Sequence, residues 1–425
     1  MKTTGIALLG VGVVGGGTFQ ILTEKRDFIK KHQGVDLEVV RVLEKNVSRA
    51  KSLGINEEIV TQNIDDIVND PSVKIVAEFM GGVEPARTFL MKCLAAGKSV
   101  VTANKEMLSK HWHELEAEAR KSGAGLYFEA SCVGGVPIIR TLKNSLQGDT
   151  IQSITGIVNG TTNFILTKMS DDGGDYAEVL KEAQALGYAE ANPVADVDGF
   201  DAMYKLSILS SLAFRTKVPL SVIDRKGIST ISKEDIAFGK ELGYTLKLLA
   251  IAKNTPNGIC AKVQPTFIPD SHPLASIKGS FNAVFLVGDY VGDIMLYGRG
   301  AGALPTGSAI VSDIVFAAKD KKPSYTSFKN TDKAERGVKF IDDENGFYIR
   351  LSVKDKIGVL AKITKALSLK GISLKSVIQK SSGNEIVPLI LITHKTTRKA
   401  ISKAMAEVEK FEEVAKIDNL ICVEQ

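Results

Sequence analysis

The sequence predicts an α/β protein in three parts: a doubly wound parallel sheet over residues 1–146, a mixed α+β domain over 147–302, and a βαββαβ domain over 346–425. In the first part, short apolar runs alternate with helical patterns, as in βαβ units with helices on both faces of a parallel sheet. The regular alternation of apolar runs and helical patterns ends near Gln147, where the second part begins. A charged linker over 319–345 precedes the last part.

The composition excludes several classes of protein. The 425 residues are 44% hydrophobic and 24% charged, as in ordinary globular domains, and no apolar run reaches the ~18 residues of a membrane span. The net charge of +5 comes mostly from single lysines spread along predicted helices of the last part, so no nucleic-acid partner is predicted. The scattered cysteines, without a CxxC pair, favour a reducing cytoplasm over a disulfide framework or a zinc site.

The predicted elements follow these patterns in chain order. The first part has strands at 6–9, 39–43, 75–80, 99–102 and 126–128, and helices at 15–33, 84–96 and 106–122. The second part has a strand from 151 that ends in a polar turn, helices near 175–186 and 199–213, and two strands within 282–300. A helix over 303–318 is expected to return to the first domain. The last part has strands at 346–353, 374–379, 386–393 and 419–423, and helices at 358–369 and 396–409.

A glycine turn follows the first strand, where Gly10, Gly12, Val13, Val14 and Gly15 form a GxGxxG pattern before a helix. The first glycine permits a tight turn, the second lets a pyrophosphate approach the backbone, and the third lets helix and strand pack closely. The free N–H groups of the helix then hold the phosphate charge. Because the turn lies inside a βαβ unit, it predicts a Rossmann-like dinucleotide-binding domain rather than a purely structural turn.

The end of the second strand leaves the choice of dinucleotide open. Glu44 is placed to bond a ribose 2′-hydroxyl, which favours NAD, whereas the adjacent Lys45 could hold the 2′-phosphate of NADP.

A charged pair stands on the core-facing stripe of the helix predicted near 199–213. Asp201 and Lys205 are one helical turn apart, and their stripe continues in Ile208, Leu209 and Leu212. Such spacing ordinarily indicates a surface ion pair. Charged side chains on the core-facing side of a helix, however, need polar partners or have a chemical role. Further acids precede the pair in a proline-containing loop, namely Glu190, Asp196 and Asp198.

This arrangement suits the reduction of an aldehyde by a nicotinamide. An aldehyde oxygen needs a proton when the carbonyl carbon receives a hydride, so Lys205 could donate that proton and Asp201 could orient its ammonium group. The remaining carboxylates would suit a substrate that carries its own ammonium group.

The stretch around the pair resembles the signature of the homoserine dehydrogenase family. The matching residues are Ala183, Gly187, Tyr188, Ala189, Asn192, Pro193, Asp196, Val197, Gly199, Asp201 and Lys205. The resemblance continues through LLGVGVVGGG, VTANKE, YFEASCVGGVPI, IVNGTTNFIL and YGRGAGALPT, up to about residue 318. It implies NADPH- or NADH-dependent reduction of L-aspartate 4-semialdehyde to L-homoserine, a step toward threonine, isoleucine and methionine.

The resemblance also implies roles for individual residues. Lys205 matches the proton donor, and Glu190 and Asp201 match acids that bind homoserine; the nearby Asp196 is a further candidate for binding the substrate. Lys105 matches a residue beside the nicotinamide, and the family's other contacts around the cofactor fall on Gly187 and Gly302.

A sodium ion is implied at the loop after the last strand of the first part. By resemblance its ligands are the Glu129 carboxylate and the carbonyls of Cys132, Gly134 and Val136. From the residues alone, a turn that exposes carbonyls to a hard cation and an ordinary turn are equally good interpretations. Cys132 as a thiol nucleophile is a weaker interpretation, because free cysteines are mostly buried and no histidine lies near it in the sequence.

The stretch VKDKIGVLAKITKAL resembles the start of an ACT domain, a small module that binds amino acids. The resemblance covers residues 346–425 and implies feedback inhibition, with L-threonine the expected effector at the loop 354–360. A dimerisation module without a ligand is the alternative for this part. The family suggests a homodimer or homotetramer, and the alternative function for the whole chain is a non-enzymatic regulator that senses dinucleotide and amino acid together.

Overall fold

A computed structural model describes residues 3–326, 343–380 and 385–424 of the chain. The chain divides into two compact units: unit A is Met1–Ile154, Asp201–Val222 and Asn282–Val338, and unit B is Thr155–Phe200, Ile223–Phe281 and Lys339–Gln425. Most of the predicted linker, residues 327–342, lies outside the described residues. Within the described ranges, no helix has both the length and the apolar character needed to cross a bilayer. The division into three domains stays a prediction.

The strands are β1 (Thr3–Leu9), β2 (Asp36–Leu43), β3 (Val60–Thr61), β4 (Val73–Glu78), β5 (Ser99–Thr102), β6 (Leu126–Tyr127), β7 (Ile151–Ile157), β8 (Asp224–Arg225), β9 (Tyr244–Thr255), β10 (Gly258–Pro269), β11 (Phe281–Gly288), β12 (Gly292–Arg299), β13 (Gly346–Lys354), β14 (Leu374–Gln379), β15 (Ile386–Thr393) and β16 (Val414–Val423). The helices are α1 (Val13–Glu24), α2 (Arg26–Gln33), α3 (Val47–Ser52), α4 (Asp65–Val68), α5 (Ala86–Ala95), α6 (Lys105–Ser122), α7 (Ile138–Arg140), α8 (Gly160–Asp172), α9 (Tyr176–Ala185), α10 (Val194–Val197), α11 (Phe200–Ala213), α12 (Lys233–Glu241), α13 (Ala303–Lys319), α14 (Val359–Ser368) and α15 (Arg398–Val408).

Unit A contains a parallel sheet with the strand order β3-β2-β1-β4-β5-β6. Its central strand β1 is apolar and fully buried from Ile6 to Leu9, because helices cover both faces. The strand order reverses between β1 and β4, where doubly wound sheets open a crevice for ligands at the carboxyl ends of their strands. The predicted doubly wound sheet is confirmed, although the helix expected over 15–33 is two helices that meet at Lys25.

Helix α13 packs in the core of the same unit. Ile310 and Ile314 belong to the buried cluster that contains Ile6 and Leu8 of β1. The start of α13 is so close to α1 that a Cβ on Gly17 would lie 2.4 Å from the carbonyl oxygen of Ala303.

Unit B contains strands in the order β9-β10-β16-β13-β15-β14, with β8 beside β10. The last four strands and helices α14 and α15 form the predicted βαββαβ domain, and its apolar residues make one buried cluster on the inner face of the sheet. Strand β16 of this domain pairs in parallel with β10, through Thr266 opposite Cys422 and Phe267 opposite Val423. The predicted βαββαβ domain, which is the ferredoxin-like arrangement, is confirmed, and its sheet continues into the β9–β10 hairpin.

The β9–β10 hairpin was not predicted from the sequence. Both strands are buried along nearly their whole length, so their residues do not alternate between apolar and polar. Buried lysines at Lys247 and Lys262 further obscure the pattern.

We expect Lys247 to make the stability of the protein depend on pH. Its ammonium group donates to Asn163 Oδ1 at 3.0 Å and to the carbonyl of Ile277, and burial lowers its pKa from 10.5 to about 8. The unfolded chain therefore binds more protons than the folded one between pH 8 and pH 10.5, and the free energy of unfolding should rise across that window by at most about 3 kcal/mol. Denaturant titrations test this: Lys247→Met should lack the rise, and Lys240→Met, at an exposed position of the same unit, should keep it. Equal pH profiles for the two variants would contradict the expectation.

Candidate active site

The glycine turn between β1 and α1 has the shape that a dinucleotide needs. Gly10 has a φ of +91°, and a Cβ on Gly15 would lie 2.3 Å from the Gly10 carbonyl oxygen, so the turn closes only with glycine at both positions. Gly12 is the N-cap of α1, and no side chain of the described residues caps that helix. A Cβ on Gly12 would have only Arg49 Nη2 near it, at 4.0 Å. The helix N-terminus that begins with Val13 and Val14 is therefore open to a pyrophosphate.

Replacing Gly15 by valine should lower the affinity for dinucleotides at least tenfold. The added side chain would meet the backbone carbonyl of Gly10, which cannot move without opening the turn. Fluorescence titration with NADH and NADPH measures the loss. Gly148→Ala is the control, because a Cβ there would meet nothing within 4 Å; equal affinities for the two variants would refute the role of the turn.

Two acids lie at the carboxyl ends of β2 and β4, the strands on either side of β1, beside this turn. The Glu44 carboxylate accepts hydrogen bonds from the backbone N–H of Val11 at 3.0 Å and of Asn46 at 2.9 Å. Glu78, which ends β4, accepts from the N–H of Met80 at 2.7 Å and from Thr102 Oγ1 at 2.6 Å, and burial raises its pKa. Glu78 was not among the residues predicted from the sequence, although an acid that closes an apolar strand was a visible signal.

Lys105, Asp201 and Lys205 are brought together in unit A. Lys205 Nζ lies 2.7 Å from Asp201 Oδ2, and Lys105 Nζ lies 3.2 Å from Asp201 Oδ1. Asp201 is 6% exposed and Lys205 is 8% exposed, so the pair is almost withdrawn from solvent, whereas Lys105 is about half exposed. One carboxylate thus orients two ammonium groups, of which Lys205 is the more deeply placed.

The position of Lys105 depends on residues at the end of β5. Lys105 is the first residue of α6, and its neighbour Asn104 caps that helix by accepting from the N–H of Met107. The Asn104 amide donates to the carbonyl of Gly82 at 2.6 Å, and Thr102 is held by Glu78. Asn104 and Glu78 therefore place the start of α6.

The loop predicted to hold sodium is strongly bent. Val133 and Gly134 have positive φ values of 58° and 53°. The Glu129 carboxylate accepts from the backbone N–H of Ile139 at 2.8 Å and of Arg140 at 2.9 Å, while the Val136 carbonyl accepts from Ile138 N–H. An ionised carboxylate has about four acceptor sites, so these contacts leave Glu129 able to bind a cation as well.

A second carboxylate, that of Asp313 on α13, faces the same loop. It accepts from the N–H of Glu129 at 2.7 Å and from the Arg140 guanidinium at 2.6 Å. Burial and the neighbouring Asp313 raise the pKa of Glu129 to about 7, and burial raises that of Asp313 to about 6. Excess negative charge in a buried place favours a cation there.

Cys132 is fully buried, and its thiol contacts the carbonyl oxygen of Lys205 at 3.8 Å. Burial raises the pKa of the thiol to about 12, so it stays protonated at neutral pH. This environment suits a packed residue and not a thiolate nucleophile.

The other predicted residues take the following places. Gly302, with a φ of +115°, is the N-cap of α13 in unit A and precedes the Ala303 that lies against α1. In unit B, Gly187 follows α9 with a φ of +77°, and the Glu190 carbonyl accepts from Gln184 at 3.0 Å.

Asp196 is held by Asn159, a residue that sequence analysis missed. Asn159 Nδ2 donates to Asp196 Oδ1 at 2.7 Å, and Asn159 also caps α8 by accepting from the N–H of Thr162. The strand from 151 was expected to end in a polar turn, and no helix was predicted directly after it. Residues such as asparagine and threonine favour caps and turns over helix interiors, which obscures the start of α8 at Gly160. The structure shows instead that they begin a helix.

Comparison with known proteins places these features in a family. The family model for homoserine dehydrogenase matches residues 137–315, the model for its NAD-binding domain matches 10–129, and the ACT domain model matches 347–413. The homoserine dehydrogenase of Bacillus subtilis is 40% identical over 100% of this chain and 99% of its own length. The chain belongs to the homoserine dehydrogenase family. It is therefore an NAD(P)-dependent oxidoreductase, and the non-enzymatic regulator is not favoured.

Solved structures of homoserine dehydrogenases have the same fold. A crystal structure from Thiobacillus denitrificans matches with a TM-score of 0.94 and 40% identity, covering 100% of this chain and 99% of that one. A hyperthermophilic archaeal homoserine dehydrogenase in complex with NADPH matches with a TM-score of 0.64 and 27% identity, over 74% of this chain and 98% of that one.

Proposed function

We propose that this protein catalyses the reversible NAD(P)H-dependent reduction of L-aspartate 4-semialdehyde to L-homoserine, with Lys205 as the proton donor. The contact between Lys205 Nζ and Asp201 Oδ2, at 2.7 Å in an almost buried position, is the observation that carries the proposal. The Asp201 carboxylate orients this ammonium group, which carries three N–H donors, and little water competes for its proton.

Individual residues of this chain have separate roles in the proposed reaction. When bound, the dinucleotide supplies the hydride for reduction or accepts it for oxidation. Lys205 gives a proton from Nζ to the carbonyl oxygen as that oxygen gains charge, and in the reverse direction it takes the hydroxyl proton of homoserine. Asp201 orients Lys205, and Lys105 supplies a second positive charge to the same carboxylate. The acids Glu190 and Asp196 are proposed to bind the amino group of the substrate.

The rate of homoserine oxidation, followed by NADH or NADPH absorbance, tests this function. We expect activity with L-homoserine and none with L-serine, whose hydroxyl lies one carbon closer to the amino group. Equal rates with both substrates, or no rate with either nucleotide, would contradict the proposal.

We further propose that L-threonine inhibits the enzyme through the ACT domain. Helix α14 begins after Gly358, which has a φ of +90°, and no side chain of the described residues caps it. The N–H of Val359 donates to the Lys356 carbonyl, and the next N–H groups of the first turn are proposed to bind an amino-acid carboxylate. The β10–β16 pairing joins the ACT sheet to the rest of unit B. A conformational change in the ACT domain can therefore be transmitted to the rest of unit B through this shared sheet. L-Threonine should lower the rate while D-threonine does not; no effect of L-threonine at saturation would refute this regulation.

A bound sodium ion and a homodimeric or homotetrameric state are proposed from the family resemblance. The bent loop at 133–134 and the buried carboxylates of Glu129 and Asp313 support the ion. Sodium chloride should raise the melting temperature more than choline chloride at equal ionic strength, and equal melting would refute the site. Sedimentation equilibrium tests the oligomeric state, which a monomer would contradict.

A further inference from the structure

A buried carboxylate at the end of β4 has no part in the proposed chemistry. Glu78 lies beside the point where the strand order reverses between β1 and β4, at the edge of the sheet where doubly wound folds bind ligands. The residue is completely buried, so it can act on the site only through other residues. Burying a carboxylate is unfavourable unless its oxygens are hydrogen-bonded, and the partners of Glu78 therefore matter.

The hydrogen bonds of Glu78 join the ends of two strands to the loop between β4 and α5. Oε1 accepts from the backbone N–H groups of Met80 at 2.7 Å and Gly81 at 3.3 Å, both in that loop. Oε2 accepts from Thr102 Oγ1 at 2.6 Å, at the end of β5. Each partner donates, which fits a carboxylate because an ionised carboxylate is purely an acceptor.

The contact with Thr102 leads to the first residue of α6. Thr102 Oγ1 accepts from the N–H of Asn104 at 3.0 Å, and Asn104 caps α6. The next residue, Lys105, extends its ammonium group to Asp201 Oδ1 at 3.2 Å. The connection from Glu78 to this ammonium group therefore consists of hydrogen bonds and one helix cap within unit A.

We propose that Glu78 is a positioning residue, which acts on the reaction by fixing the Lys105 ammonium group against the Asp201 carboxylate. A lysine side chain has many rotamers, and the half-exposed Lys105 keeps one place more readily when its backbone is fixed. Without the carboxylate, the end of β5 and the loop after β4 lose a shared partner, and the start of α6 loses its fixed place. The effect on the rate rests on the proposed function, whereas the effect on the place of Lys105 does not.

A double-mutant cycle tests the proposal through kcat for homoserine oxidation. Glu78→Ala should lower kcat about 10- to 100-fold, the effect of a small misplacement of a group near the reaction, and Lys105→Met should lower it by a similar factor. Glu78→Gln retains an acceptor for the loop and a polar contact for Thr102, so it should recover most of the loss. In the Lys105→Met background, Glu78→Ala should cost less than about twofold more, because the group through which it acts is gone.

Two kinetic outcomes would overturn the proposal. One is a full further loss in the double variant, and the other is an unchanged rate in Lys105→Met. Thr102→Val removes the hydroxyl that links Glu78 to α6 and keeps the shape of the side chain. It should show the same dependence on Lys105 at a smaller size, and it decides the question if Glu78→Ala does not fold.

Amine labelling follows the position of Lys105 without turnover. A pulse of acetic anhydride, analysed by mass spectrometry, should acetylate Lys105 about threefold faster or more in Glu78→Ala, because an ammonium group that leaves its carboxylate loses its proton more easily. Asp36→Ala is the matched control, since Asp36 is a buried acid of the same unit that begins β2, at the opposite ends of the strands. It should change neither kcat nor the labelling of Lys105.

The two measurements separate this inference from the proposed function. Equal labelling of Lys105 in the unaltered protein, Glu78→Ala and Asp36→Ala would overturn the positioning role. Faster labelling in Glu78→Ala alone, together with no oxidation of homoserine by the unaltered protein, would support the positioning role and refute the proposed function.

Discussion

Replacing Lys205 by alanine should lower kcat by about 10²- to 10⁴-fold, the usual contribution of a positioned general acid. The variant should still fold, because Asp201 keeps Lys105 as a partner at 3.2 Å and is not left as an isolated buried charge. Dinucleotide affinity should be unchanged, since the glycine turn contributes the binding and Lys205 contributes the proton. Rates of homoserine oxidation at saturating substrate, together with nucleotide titrations, measure both properties.

Controls separate the loss of an acid from the loss of packing. Lys205→Met keeps the length of the side chain without the amine and should be as inactive as the alanine variant. Lys217→Ala removes an exposed lysine of the same unit and should retain full activity. Added methylamine should restore part of the rate in Lys205→Ala if a proton donor is missing. A rate within about threefold of the original would rule out Lys205 as the acid.

Replacing Asp235 by alanine should destabilise the protein by about 3–5 kcal/mol, as expected when one partner of a buried ion pair is removed. Asp235 lies on α12 and is completely buried. It accepts hydrogen bonds from Arg350 Nε at 2.7 Å and from the Tyr348 hydroxyl at 3.2 Å, both on β13. It also accepts from Asn419 Nδ2 of β16 at 2.9 Å and from the N–H of Ser232.

The loss would leave several polar groups of the ACT domain without their buried acceptor. Urea unfolding measures the effect, and Asp270→Ala is the control because Asp270 is exposed and its carboxylate accepts a hydrogen bond from the hydroxyl of Thr245 at 2.7 Å. Asp235→Asn keeps the shape and one acceptor, so its loss of stability should be intermediate. If Asp235→Ala and Asp270→Ala unfold at the same urea concentration, Asp235 does not stabilise this contact.

The glycine turn and the elements around it were predictable because their causes are local. The turn requires small residues at Gly10 and Gly15, and the alternation of apolar strands with helices is visible in the residues themselves. Helix α11 was also predictable, since Asp201 and Lys205 continue an apolar stripe. By contrast, β9 and β10 have no alternation, because both of their faces are buried.

The candidate site was predictable in part. The pairing of Asp201 with Lys205 follows from helical spacing, and the structure confirms the contact at 2.7 Å. The second contact, from Lys105, joins residues about a hundred positions apart and depends on how α6 and α11 pack in unit A. The contacts of Glu78 with Thr102 and of Asn104 with Gly82 likewise join remote parts of the chain and were not predictable, although an acid at the end of β4 was visible in the sequence.

The sequence by itself determined the parallel α/β beginning, the dinucleotide turn, the charged helix and the βαββαβ end, because periodicity and residue size act over a few neighbouring positions. The tertiary structure alone decided which charges share a carboxylate, which oxygens of Glu44 are already bonded, and which edge of the ACT sheet joins β10. Those outcomes depend on distances between segments remote in sequence, and such distances exist only once the apolar faces have packed.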